Sequence, residues 1–114
     1  MQVELRVRDT DLADALQGYV QRRLDSAMGR FDDQVGRVEV KLSRQPGSPA
    51  FTRHSCRISA ELKPFGKIVA TETGPDSYAA IDRAAARIGS LLIQRLEKMW
   101  EVEVWNTSVA AGWR

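Results

Sequence analysis

The chain has 114 residues, 43% of them hydrophobic and 28% charged, which is the balance of one soluble globular domain. A single cysteine excludes an internal disulfide, and one histidine beside it is too few for a His/Cys metal cluster. No apolar run approaches membrane-spanning length, and a net charge of +2 does not by itself name a polyanionic partner.

Residues 2–8 alternate: Val3, Leu5 and Val7 point to a core, and Glu4, Arg6 and Arg8 point away. Met1 leads straight into this strand, not into an apolar run behind positive charge. A cytoplasmic location is therefore expected, without a signal peptide. Asp9, Thr10 and Asp11 stop the strand and offer N-caps. From Leu12 to Phe31 the period turns helical, with Leu12, Leu16, Tyr19, Val20, Leu24, Ala27, Met28 and Phe31 on one face. Gly18 costs such a helix about 1 kcal/mol relative to Ala, which suggests a close packing approach there. Gly29 marks the beginning of its end.

Gly36 opens a second alternating run, with Val38, Val40 and Leu42 inward and Arg37, Glu39 and Lys41 outward. Residues 45–49, Gln-Pro-Gly-Ser-Pro, read as a turn. A third strand follows over Thr52 to Lys63, with His54, Cys56, Ile58, Ala60 and Leu62 on one side. Pro64-Phe65-Gly66 is a short hairpin connection into a fourth strand, Lys67 to Thr73, in which Ile68 and Ala70 face inward. Gly74-Pro75 breaks that strand. Asp76 then caps a long helix to Glu101 whose apolar stripe is Tyr78, Ile81, Ala85, Ile88, Leu92 and Met99, widened by Leu91, Leu96 and Trp100.

The order strand, helix, three strands, helix predicts an α+β two-layer sandwich, β-α-β-β-β-α. Two helices cover one face of a four-stranded mixed sheet. A right-handed crossover makes the first two strands parallel, and hairpins make the others antiparallel. The uncovered face carries Arg6, Arg8, Arg37, Lys41, Arg53, Arg57 and Lys67, partly offset by Glu4, Glu39 and Glu61. Residues 1–101 form the domain, and 102–114 form an apolar tail whose Val104, Trp105, Val109 and Trp113 are costly to leave in water.

Charge is unevenly spread. Residues 9–33 hold three cations against six carboxylates, and residues 37–67 hold seven against two. No cofactor or small-molecule site is expected: there is no Gly-rich phosphate loop and no metal motif. His54 and Cys56 share one side of a strand, but in the register of Ile58 and Leu62 they read as packing groups. The pairs Asp32/Asp33 and Asp9/Asp11 sit at turns and helix ends, where capping explains them. The chain is therefore read as a non-enzyme.

MQVELRVRDTDLADALQGYVQRRL, then Phe31-Asp32, then DSYAAID at Asp76 to Asp82, together resemble the ribosome hibernation-promoting factor family, whose best-known branch is the ribosome-associated inhibitor A type. The resemblance covers about Met1 to Lys98. It implies a fold akin to double-stranded-RNA-binding domains, no catalysis, and binding to the small ribosomal subunit where messenger and transfer RNA would sit. The resemblance further implies that translation is thereby inhibited under stress or in stationary phase. It places Arg23, Arg87, Arg95 and Lys98 on ribosomal RNA phosphates. Arg22 and Arg83 on the same helices, and Arg37 and Lys41 on the sheet, complete the candidate rRNA-binding set. Arg forks hold phosphate oxygens in two bonds, and structured RNA is read by shape and phosphate, so dispersed cations suffice. Ser26, Ser90 and Gln94 stand where the family often has cations. The alternative reading is a diverged member acting through protein contacts, or as a homodimer through its aromatic tail, with no membrane partner.

Overall fold

The computed structural model describes residues 1–8, 13–46 and 52–112, with backbone alone for Ala13, Gln45, Pro46, Thr52 and residues 101–112. The expected caps at Asp9, Thr10 and Asp11, as well as Leu12, turn residues 47–49 and Trp113, lie outside the described residues. The elements in order are β1 (Gln2–Val7), α1 (Ala13–Met28), a 3₁₀ helix (Gly29–Gln34), β2 (Val35–Pro46), β3 (Thr52–Leu62), β4 (Lys67–Gly74) and α2 (Ser77–Gly112). They form the predicted α+β sandwich. The sheet order is β1-β2-β3-β4, with β1 and β2 parallel and the other neighbours antiparallel.

One face of the sheet and the facing stripes of both helices make the core. Leu16, Val20, Leu24 and Met28 of α1 meet Val38, Val40 and Leu42 of β2. Val35 of β2, Cys56, Ile58, Ala60 and Leu62 of β3, Ile68 and Ala70 of β4, and Ala80, Ile81, Ala84, Ala85, Ile88 and Leu92 of α2 complete it. Full burial of each large aliphatic side chain stabilises the fold by about 1.5–3 kcal/mol. β1 is an edge strand, so Val3, Leu5 and Val7 pack against this core only partly buried.

Several details depart from the sequence reading. The first helix ends at Met28, not Phe31: a 3₁₀ segment takes over at Gly29, and Phe31 has φ −112° and ψ 27°, outside helical values. β2 runs on to Pro46 and pairs it with Thr52, so the turn begins later than its composition suggests. The last helix does not stop at Glu101 but continues to Gly112, 36 residues in all. Trp100 is 71% exposed rather than part of the stripe. At 100° per residue it stands about 100° round from Ile81. Gly18 is not a close approach: a Cβ there would meet only Arg22 Nη1 at 3.5 Å. Gly89 is, because a Cβ would lie 3.1 Å from the Ala27 carbonyl oxygen and 3.2 Å from Ala27 Cβ, where the two helices meet.

Candidate nucleic-acid interface

α2 positions the largest group of candidate cations. It starts abruptly: Ala79 N–H donates to Asp76 Oδ1 at 2.8 Å, and Gly74 lies so close beneath the first turn that a Cβ would sit 2.8 Å from Ala80 N. With the stripe Ile81, Ala85, Ile88 and Leu92 turned to the sheet, Arg83, Arg87, Arg95 and Lys98 fall on the flank that overhangs β4. Arg83 Nη1 donates to the Thr73 carbonyl at 2.7 Å, and Arg87 Nη1 lies 3.6 Å from Glu72 Oε1. Arg95 stands over the β3–β4 turn. Its Nη1 would be 3.2 Å from a Cβ on Gly66. Arg95 and Lys98, with Ile68, Leu91, Gln94 and Glu97, line an open groove of about 460 Å³. From Arg83 to Lys98 the helix rises roughly 22 Å. Successive phosphates along one strand advance about 3.4 Å each, so this row spans several. Arg83 has a neutral partner and Arg87 a long, exposed one. Arg95 and Lys98 have no ion pair among the described residues.

The first helix places its candidates elsewhere. Arg23 Nε lies 3.0 Å from Asp82 Oδ1, on the flank of α2 that faces α1. Its N–H is not aligned for a hydrogen bond, so this buried nitrogen stays unsatisfied although the ion pair is close. Tyr19 donates its hydroxyl to the same carboxylate and packs edge-on against Tyr78, with ring centres 4.8 Å apart. Arg22 stands 6.0 Å from the Tyr19 ring centre. Arg23 thus stands at the junction of the helices with its side chain 40% exposed, and Arg22 and Arg23 do not extend the row beside β4.

On the open sheet face the two candidates separate. Arg37 Nη2 donates to Glu4 Oε2 at 2.5 Å. That bond, and then the guanidinium charge, hold the Glu4 carboxyl below its usual range, while Glu4 raises Arg37. Lys41 belongs to a different arrangement. Strand register sets Arg6 beside Lys41 and Lys41 beside Arg57. At about 4.8 Å per strand the row measures roughly 10 Å. Arg6 is flanked at 3.5 Å by both Glu4 and Glu39, whereas Arg8, Lys41 and Arg57 have no ion pair among the described residues. Together with Ser43, Ser55 and Thr71 they line a basin of about 530 Å³. Alternation placed Arg6, Arg8 and Arg57 on this face but not in the candidate set. The register that joins them to Lys41 could not be read from any one strand.

His54 and Cys56 do not form a catalytic pair. His54 Nδ1 lies 3.2 Å from Ser77 Oγ, and Cys56 is buried, its thiol pushed up to about 12 by desolvation. A thiol held that far from ionisation is a poor nucleophile. Among the described residues no three His, Cys, Asp or Glu side chains gather in a metal-ligating group, and no helix is long and apolar enough to cross a membrane.

Residues 3–100 match the model of the Sigma 54 modulation protein / S30EA ribosomal protein family. A ribosome hibernation promoting factor of Azotobacter vinelandii is similar, 31% identical over 102 residues that make up 89% of this chain and 88% of that protein. The crystal structure of the Thermus thermophilus Protein Y N-terminal domain superposes with a TM-score of 0.66 at 29% identity, over 80% of this chain and 94% of that one. A ribosomal subunit interface protein from Coxiella burnetii shares the fold, with a TM-score of 0.68 at 14% identity over 85% and 99% of the two chains. The matched span contains all of the sheet but its first residue, α1 and the cation row of α2, and the chain belongs to the Sigma 54 modulation protein / S30EA ribosomal protein family.

Proposed function

We propose that this protein binds the small ribosomal subunit through ribosomal RNA phosphates and holds ribosomes idle, inhibiting translation during stress or stationary phase in the cytoplasm. The observation that carries the reading is the row Arg83, Arg87, Arg95 and Lys98 along α2, inside the span matched by a ribosome-associated family. The sheet row of Arg6, Lys41 and Arg57 is a second cationic surface on the opposite face. Binding of this kind needs no catalytic group and weakens steeply with salt, because each phosphate contact releases counterions.

Sedimentation with purified small subunits over a salt series tests it. The wild-type protein is expected to pellet with subunits at low salt and to be released as salt rises. Replacing Arg87, Arg95 and Lys98 together by Ala is expected to lower the slope of log K against log salt by about three. Absence of binding at low salt removes the reading, and an unchanged slope removes the α2 row from it. A second reading, self-association through the C-terminal segment, is favoured by one observation: α2 continues as helix beyond the matched domain to Gly112, through a stretch that includes Val104, Trp105 and Val109.

A further inference from the structure

We propose that Phe65 is a stacking platform for an unpaired RNA base whose neighbouring phosphates are taken by Arg95 and Lys98. The inference rests on the RNA reading above and adds the kind of RNA: single-stranded at this corner. Phe65 sits at the tip of the β3–β4 hairpin and is 76% exposed, more than any other large hydrophobic side chain among the described residues. An aromatic ring left in water forgoes the burial that would stabilise the fold.

The tip is nonetheless well held. Leu62 N–H donates to the Gly66 carbonyl at 2.8 Å, and Lys63 N–H donates to the Gln34 carbonyl at 2.8 Å. Gly66 adopts φ 113°, a conformation that favours glycine. The ring is therefore presented from a fixed base. Cations stand near the tip: Lys63 and Lys67 flank it in the chain and are exposed, Lys63 reaching toward Gly36 of β2, and Arg95 lies over Gly66. The groove containing Arg95 and Lys98 opens beside the same turn, floored by Ile68 and Leu91, with Glu97 the acid on its wall.

An exposed ring with cations within a few residues on both sides matches single-strand recognition, in which bases stack on aromatics and the backbone follows a positive groove. A duplex keeps its base faces stacked inside and cannot use the ring. The neighbouring cations favour RNA over an apolar protein patch, which would meet Arg95 and Lys98 of the adjoining groove without compensation.

Anisotropy titrations with a labelled single-stranded oligoadenylate and with an RNA duplex of equal length test the inference without the ribosome. The wild-type protein is expected to prefer the single strand. Phe65→Trp is expected to keep that preference. Phe65→Leu is expected to bind the single strand roughly 5- to 150-fold more weakly, leaving duplex binding and the salt slope unchanged. Arg95→Ala, by contrast, is expected to lower the salt slope by about one. The inference is overturned if the wild-type protein shows no single-strand preference or if Phe65→Leu binds like wild type. A parallel titration of small subunits separates the two readings. Retained subunit binding without single-strand preference sinks the stacking platform and leaves the proposed function standing; the reverse pattern sinks the proposed function alone. Subunit affinity kept by Phe65→Leu but lost by Phe65→Ser marks an apolar protein contact and also overturns the inference.

Discussion

The thiol of Cys56 is buried beneath α2, and desolvation pushes it up to about 12. Tyr19 is also raised, first by donating its hydroxyl to Asp82 and then by burial. Both groups are neutral in the folded protein at pH values where the unfolded chain has begun to ionise them. Their contribution to stability is therefore complete below the unfolded values, about 9 for the thiol and 10 for the phenol, and is lost as pH rises through the folded ones. Urea unfolding at neutral pH and near pH ~10.5 is expected to show lower stability at the alkaline end. Cys56→Ala and Tyr19→Phe are each expected to flatten that decline. Alkaline profiles parallel to wild type for both variants would refute the assignment. Glu4 works in the opposite sense: Arg37 depresses its pKa, so its contribution is present above the unfolded value and fades as pH falls. The burial of Cys56 was readable from its register with Ile58 and Leu62. The sharing of Asp82 by Tyr19 and Arg23 was not, because 63 residues separate Tyr19 from Asp82.

α2 was the most readable element, since its stripe, its alanines and its cap are all local features. Asp76→Ala is expected to cost about 1 kcal/mol of stability, measured by urea midpoint, through loss of the 2.8 Å bond to Ala79 N–H. Gly74→Ala is expected to cost about 1–3 kcal/mol, because the added methyl meets backbone Ala80 N at 2.8 Å and Ala79 Cβ at 2.9 Å, neither of which can swing aside. An unchanged midpoint in either variant contradicts the geometry. The junction of α1 and α2 was misread. Gly18 stood out because it interrupts an apolar helix, yet Gly89, embedded in a helix rich in small residues, is where the helices approach. Periodicity says which face of a helix is buried; it does not say where along that face a second helix crosses. The extent of α2 was misread for a related reason. Val102 to Gly112 contains β-branched residues and no proline, and composition that looks like a tail continues as helix.

The whole molecule is a sandwich with cations on both outer faces and a helix that outruns the sheet. At 36 residues α2 is about 54 Å long, and among its described side chains the last buried one is Leu92. For the self-association reading, light scattering on the full chain and on a chain lacking residues 102–114 is decisive. A dimer that becomes a monomer on deletion supports it, and a monomer in both forms removes it. By itself the sequence determined the order of elements, the inward face of each, the cap of α2 and, through the opening stretch, Phe31-Asp32 and DSYAAID taken with that order, the family. Those features depend on the helical and strand periods, on the reach of one side chain to the next turn, and on a motif read along the chain. Only the tertiary structure decided which cations stand together. Arg37 is paired with Glu4, Arg23 is drawn against Asp82, and Lys41 is joined by Arg6 and Arg57 in one row, while Arg95 is brought over the turn that carries Phe65. Each of these pairings unites residues distant in the chain, and strand register and helix packing, not any local period, bring their charges within reach of one another.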